Sequence, residues 1–249
     1  AGTSLANGVD VLAVVLLSVG AVVGGFRGLT GELARIAGFV VALLAGYASS
    51  AVWGLLAARW APGEGQAVVR GLVSVISTEP QMDQERYSAL VANLFEEQSQ
   101  LRSIAAAPDF VISMTYPLEG NEAAIGLDYR ANAEQSEAAL RARDAGRLVL
   151  AGPVDLVQGG RGFVGRFPVY VDTPDGRQFW GLVAAVVDVD RLYADSGLLD
   201  ASLPIEVSIT GKDATGGDGT RFFGPDLTDQ NPILAVVSLP TGSWEIAAV

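Results

Sequence analysis

The run of twenty-three uncharged residues between Arg35 and Arg59, IAGFVVALLAGYASSAVWGLLAA, constrains this chain most. A membrane-spanning helix needs about 20 apolar residues, so the run predicts one. A second uncharged run of sixteen, VLAVVLLSVGAVVGGF, lies between Asp10 and Arg27 and reaches spanning length if Leu5 to Val9 join it. The pair predicts a two-helix transmembrane hairpin within residues 1–60. No basic residue precedes the first run, which argues against a secretory leader. A buried helical pair in a soluble protein is the other reading. The connector Arg27 to Arg35, RGLTGELAR, carries two arginines, and the positive-inside rule places it in the cytoplasm. Everything after Trp60 then faces outward.

Charge agrees with that arrangement. Residues 1–59 hold Arg27, Arg35 and Arg59 against Asp10 and Glu32, a net of +1. The whole chain carries −12, so −13 falls on the remainder. An acidic domain lacks the clustered Lys and Arg that phosphate binding requires, so nucleic acid is not an expected partner. There is no cysteine and no histidine. Disulfides, thiolate nucleophiles, imidazole bases and His/Cys metal sites are therefore excluded. No cofactor or metal is expected. Glu119 and Glu122 resemble a carboxylate pair, but Gly120-Asn121 between them reads as a turn, and nothing else supports hydrolysis. A non-enzymatic role is the expectation.

The breaker cluster Ala61 to Gly65 marks a boundary. Val68, Val69, Leu72, Val73 and Ile76 then recur at helical spacing, predicting a stalk helix that ends near Pro80. Asp83 is placed to cap a second helix running to Phe95, with Arg86 where a capping box has Glu or Gln. Beyond Gln100 short apolar runs alternate with turn signals. These are FVISMTYPL, RLVLAGPVDLV, GFVGRFPVYV, FWGLVAAVVDV and PIEVSIT, interrupted by one helix from Glu134 to Arg143. Asp172 to Gly176 reads as the turn of a hairpin. The Gly211–Thr220 stretch lacks the Lys-Ser/Thr of a phosphate-binding loop and reads as a flexible linker. The fold class is α+β: a hairpin (1–60), a stalk and second helix (61–100), a membrane-distal PAS-like antiparallel sheet (101–200) and a smaller proximal one (201–249).

Two resemblances follow from these motifs. Val9 to Leu12, FRGLTGEL (Phe26 to Leu33) and Ile36-Ala37-Gly38 resemble the start of the CvpA (colicin V production) family of membrane proteins, over roughly residues 5–58. Three ordered blocks resemble the CHASE sensor domain over roughly residues 66–249. They are Tyr116 to Asp128, Leu140 to Pro153 and Gly162 to Tyr170. That family resemblance implies a homodimerising stalk and two PAS-like subdomains, with a small-molecule ligand bound in the distal one. It implies an extracytoplasmic sensor on the bacterial inner membrane whose output, of histidine-kinase or diguanylate-cyclase type, lies outside this chain. A CvpA-like membrane scaffold with an outer interaction domain is the alternative.

The CHASE resemblance also implies site residues. Asp128 matches a ligand-bonding carboxylate, although Asp is equally suited to cap a turn there. Leu150 matches an apolar lining position. Gly160 falls where plant receptors have a polar residue, which departs from cytokinin binding. Met114 and Tyr116 lie on the preceding strand. Arg161 and Arg166 lie on the following one. Arg166 interrupts an apolar run and, by alternation, could point inward, where it would need an anionic partner such as Asp128 or a ligand carboxylate. Burial statistics favour the outward alternative.

Overall fold

The structure, a computed structural model, describes residues 64–92, 95 and 101–249. The hairpin expected over residues 1–60, with its CvpA-like motifs, lies outside them. Among the described helices none is long and apolar enough to cross a membrane. The chain divides into units 1–48 and 49–249, and every described element belongs to the second.

Helix α1 spans Glu64–Thr78 and buries Val69, Leu72 and Ile76, a stripe at three- and four-residue spacing. Helix α2 spans Gln84–Ala92, and residues 93–94 of its expected run to Phe95 lie outside the described residues. Asp83 caps it: its Oδ1 accepts from the Arg86 amide at 2.8 Å. The Arg86 guanidinium turns back to Glu79 instead of completing a box, with Nε 3.1 Å from Oε2. The Trp180 indole donates to the Pro80 carbonyl at 3.1 Å, tying the helical connection to the sheet behind it.

That sheet has five antiparallel strands: β1 Leu101–Pro108, β2 Met114–Tyr116, β3 Val149–Asp155, β4 Arg161–Thr173 and β5 Gly176–Asp188. Their spatial order is β2-β1-β5-β4-β3. The β4–β5 turn is tighter than its sequence suggests, because strand pairing continues to Thr173 and Gly176 and leaves only Pro174 and Asp175 outside it. Gly176 supplies the positive φ, +110°, that this two-residue connection uses. Helix α3 spans Ser136–Ala145, two residues later than expected, and stops at Gly146 in the left-handed region.

Alternation divides the sheet into two apolar faces. Ile104, Ala106, Phe167, Val169, Val183 and Ala185 pack against α1 and α2 on the stalk face. Further along that same face Leu150, Phe163 and Val187 pack against helix α4 (Val189–Asp195) and the second sheet. The far face carries Ala105, Ala107, Val149, Ala151, Val164, Leu182, Ala184 and Val186 and is covered by α3.

The second sheet, β6 Val207–Thr210, β7 Arg221–Phe223, β8 Ile233–Leu239 and β9 Gly242–Ala248, runs β7-β6-β9-β8 and is also antiparallel. Phe163 meets Trp244 at 4.8 Å between ring centroids, and Tyr193 of α4 meets Phe223 at 4.7 Å. The Gly211–Thr220 segment is no linker. It folds into a short turn, with Asp213 and Ala214 both at positive φ, whose Asp213 carboxylate accepts from the Gly152 amide at 2.7 Å. Thr241 Oγ1 likewise accepts from the Leu150 amide at 3.1 Å. Strand β3 is a sheet edge, and these two side chains occupy alternate amides that an edge would otherwise leave open.

Candidate functional site

The sequence-derived site residues separate onto different surfaces. Met114 and Tyr116 are on the stalk face, where Phe95 meets the Tyr116 ring edge-on at 5.2 Å. Leu150 is on the same face, packed into the cluster shared with the second sheet. Gly160 is exposed in the β3–β4 turn, where an added Cβ would approach Arg102 Nη1 at 3.0 Å. Glu119 and Glu122 are exposed, the latter opening a 3-10 turn.

Asp128 sits in the roof of the far face. The β1–β2 connection pairs there with residues 126–129: Ile112 donates to Leu127, Gly126 donates to Ile112 and Tyr129 donates to Phe110. Asp128 is extended and caps the short 3-10 helix Tyr129–Ala131, accepting from the Arg130 amide at 2.9 Å. Its carboxylate is also gripped by the Arg130 guanidinium, which bridges at 3.2 Å to Asp109. These bonds hold the Asp128 carboxyl below the usual carboxylate range, the Arg130 side chain contributing most. Its side chain therefore addresses Arg130 at the surface, and an Asp128–Arg166 pair is not formed.

The neighbouring residue, Tyr129, turns the other way and is 2% exposed. Beneath it lies Arg166, fully buried in β4 in register with Val149 and Ala184. The outward reading of this arginine is thus corrected: alternation along β4 carries it to the far face, beside Val164. Its Nη2 donates to Gln135 Oε1 at 2.7 Å, and its guanidinium lies 5.0 Å from the Tyr129 ring centroid. Nε and Nη1 have no hydrogen-bond partner among the described residues. Desolvation disfavours the charged form and pushes its pKa down, while burial pushes the Tyr129 phenol up.

Gln135 and Tyr129 were absent from the sequence-derived set. Gln135 immediately precedes α3 and is 3% exposed, so the helix start delivers it to the sheet. Its only signal in sequence is a polar residue just ahead of the buried Ala138, Ala139 and Ala142 stripe. Tyr129 is signalled by being the inward neighbour of an extended Asp128. Above this group Asp109 and Phe110 take positive φ values of 44° and 69°, uncommon for such residues and a form of strain that collects at functional sites. The site thus consists of a buried cation, an amide that orients it and an aromatic face, set among alanine and valine side chains.

Two helices against one face of a five-stranded antiparallel sheet, with a second antiparallel sheet beyond, are the architecture of PAS-like sensor domains. The CHASE domain model matches residues 70–223, more than half of the sequence, and the chain belongs to that family. Among solved structures it is similar to an extracellular ligand-binding receptor from Desulfohalobium retbaense, with a TM-score of 0.60 and 16% identity. That alignment covers 81% of this chain and 39% of the receptor, so the chain spans well under half of that protein. It is similar to the ligand-binding domain of the Pseudomonas aeruginosa amino-acid chemoreceptor PctC in complex with GABA. There the TM-score is 0.55 and identity 17%, covering 81% and 95%. The periplasmic sensory domain of the Campylobacter jejuni chemoreceptor Tlp1 matches with a TM-score of 0.53 and 10% identity, covering 80% and 88%. No curated protein sequence matches this one.

Proposed function

We propose that this protein is a membrane-anchored, extracytoplasmic sensor that binds a small molecule on the far face of its distal sheet. The observation that carries this reading is the buried group of Arg166, Gln135 and Tyr129, one polar cluster in an otherwise apolar layer. Few oriented polar groups among apolar walls are the usual composition of a small-molecule site. Family membership and the ligand-binding neighbours support it, PctC being a case in which this fold holds GABA. The hairpin of residues 1–60 is the proposed anchor, with the acidic remainder in the periplasm or outside the cell. The stalk helix α1 is the proposed dimer contact and carries the signal toward a kinase- or cyclase-type output. Binding must favour one of two stalk arrangements, since a ligand with equal affinity for both transmits nothing.

The test is thermal unfolding of the full chain against organic acids, amino acids and purines. A ligand at a hundred times its dissociation constant stabilises by about 2.7 kcal/mol. At least one class should raise the Tm of the wild type. A panel that leaves the Tm unmoved would remove the sensor reading.

A further inference from the structure

The geometry points to a carboxylate-bearing small molecule as the ligand of the far-face site, its acid group bound by the open side of the Arg166 guanidinium, where the second Nη2 hydrogen forks with Nε or Nη1. This rests on the sensor reading and deepens it. Arginine stays protonated under all ordinary conditions, so burial cannot be relieved by losing the charge. A buried cation without a counter-ion is among the most costly arrangements a fold can hold. Among the described residues no carboxylate forms a direct ion pair with Arg166. Asp128 and Asp109 are committed to Arg130 at the surface. Asp213, the acid whose charge acts on Arg166, has its Oδ1 on the Gly152 amide at the sheet edge. Glu137 is exposed and paired with Arg141 at 3.6 Å. Arg141 adds positive field of its own, in the direction that disfavours a second cation.

The donors that remain define the missing partner. Gln135 accepts one hydrogen bond from Nη2 and fixes the guanidinium plane, leaving Nε, Nη1 and the second Nη2 hydrogen as charge-assisted donors among the described residues. Planar anions with two oxygens match a guanidinium best, and bonds to charged groups are roughly twice as strong as neutral ones. The neighbouring side chains restrict what the acid is attached to. Val149, Val164 and Ala184 flank Arg166 on the sheet, and Ala138 and Ala142 of α3 face the same layer. Methyl-sized neighbours favour a compact, mostly aliphatic body over an extended polar one.

Formate, acetate, propionate, succinate and GABA are the probes, with propionamide, adenine and sodium chloride of equal ionic strength as controls. The readouts are the Tm of the full chain and the Arg166 Nε–H resonance. At a hundred times its dissociation constant a bound acid should raise the Tm by about 5–10 °C. The Nε–H resonance should move with the acids and not with propionamide or chloride. Arg166→Met should abolish the acid response while its unliganded Tm is equal to or above that of the wild type. Gln135→Leu should weaken the response without abolishing it. No acid response in the wild type, or an undiminished one in Arg166→Met, overturns the assignment. If adenine or propionamide instead raises the Tm of both proteins, the carboxylate assignment falls and the sensor reading stands.

Discussion

Tyr87 and Arg166 are both buried with polar atoms that have no partner among the described residues, and the physics separates them. The Tyr87 phenol is neutral, and burial only pushes its pKa far above the usual value. Its hydroxyl costs the desolvation of one group, about 1–3 kcal/mol, with no functional demand behind it. Tyr87→Phe should therefore raise stability by about 1 kcal/mol in urea denaturation at unchanged m-value. A loss of that size would mean that the hydroxyl has a partner. Arg166 has no neutral state to retreat to, which is why its burial implies a ligand whereas that of Tyr87 implies only an imperfect core. Neither role was legible from residue type. Alternation left both orientations of Arg166 open, and average burial tendencies favoured the outward one. The inward orientation is decided by the β4 register with Val149 and Ala184, which a single strand does not contain.

Among the elements, those with strong local patterns were read well. The α1 stripe, the Asp83 cap and the β4–β5 hairpin all arise from spacing or turn chemistry within a dozen residues. Strand β1 was missed, and the reason is physical. Its core, Ile104-Ala105-Ala106-Ala107, has no alternation because both of its faces are buried, and alanine has little preference for strands. Its alanines let helices and roof approach the sheet from either side. The Gly211–Thr220 segment was misread for the opposite reason, since glycine-rich composition is compatible with a linker or with a tight docking turn. In β3 the decisive residue is Gly152, at φ +119°, where an added Cβ would lie 2.7 Å from the Gly162 carbonyl oxygen. Gly152→Ala should cost at least about 2 kcal/mol, from backbone strain and overpacking together. A shift in the urea midpoint measures it. A neutral outcome would mean that β3 can leave β4 at its irregularity between Ala151 and Val154 without loss.

For the described body as a whole, β3 is where the candidate site and the second sheet meet. Val149 pairs with Arg166, while the adjacent amides of Leu150 and Gly152 are held by Thr241 and Asp213 from the other subdomain. A ligand that draws Arg166 toward itself would pull on β3, and Asp213 is the rigid end of that connection, held at φ +60° in a turn of strained residues. Removing both acceptors leaves two amides of an edge strand without protein partners, at about 1–3 kcal/mol for each that stays buried. The Asp213→Ala, Thr241→Val double variant should therefore show faster amide hydrogen exchange at Leu150 and Gly152. Exchange at Ala106 and Val183, in the central strands, should stay slow. Because opening of an edge is local, global unfolding should shift less than the edge amides do. Ligand binding at Arg166 should persist in this variant, while its effect on exchange in β6 and β9 should disappear. If the edge amides keep their protection, Thr241 and Asp213 are passive contacts, and the route from the site to the second sheet must run through the Phe163–Trp244 cluster instead.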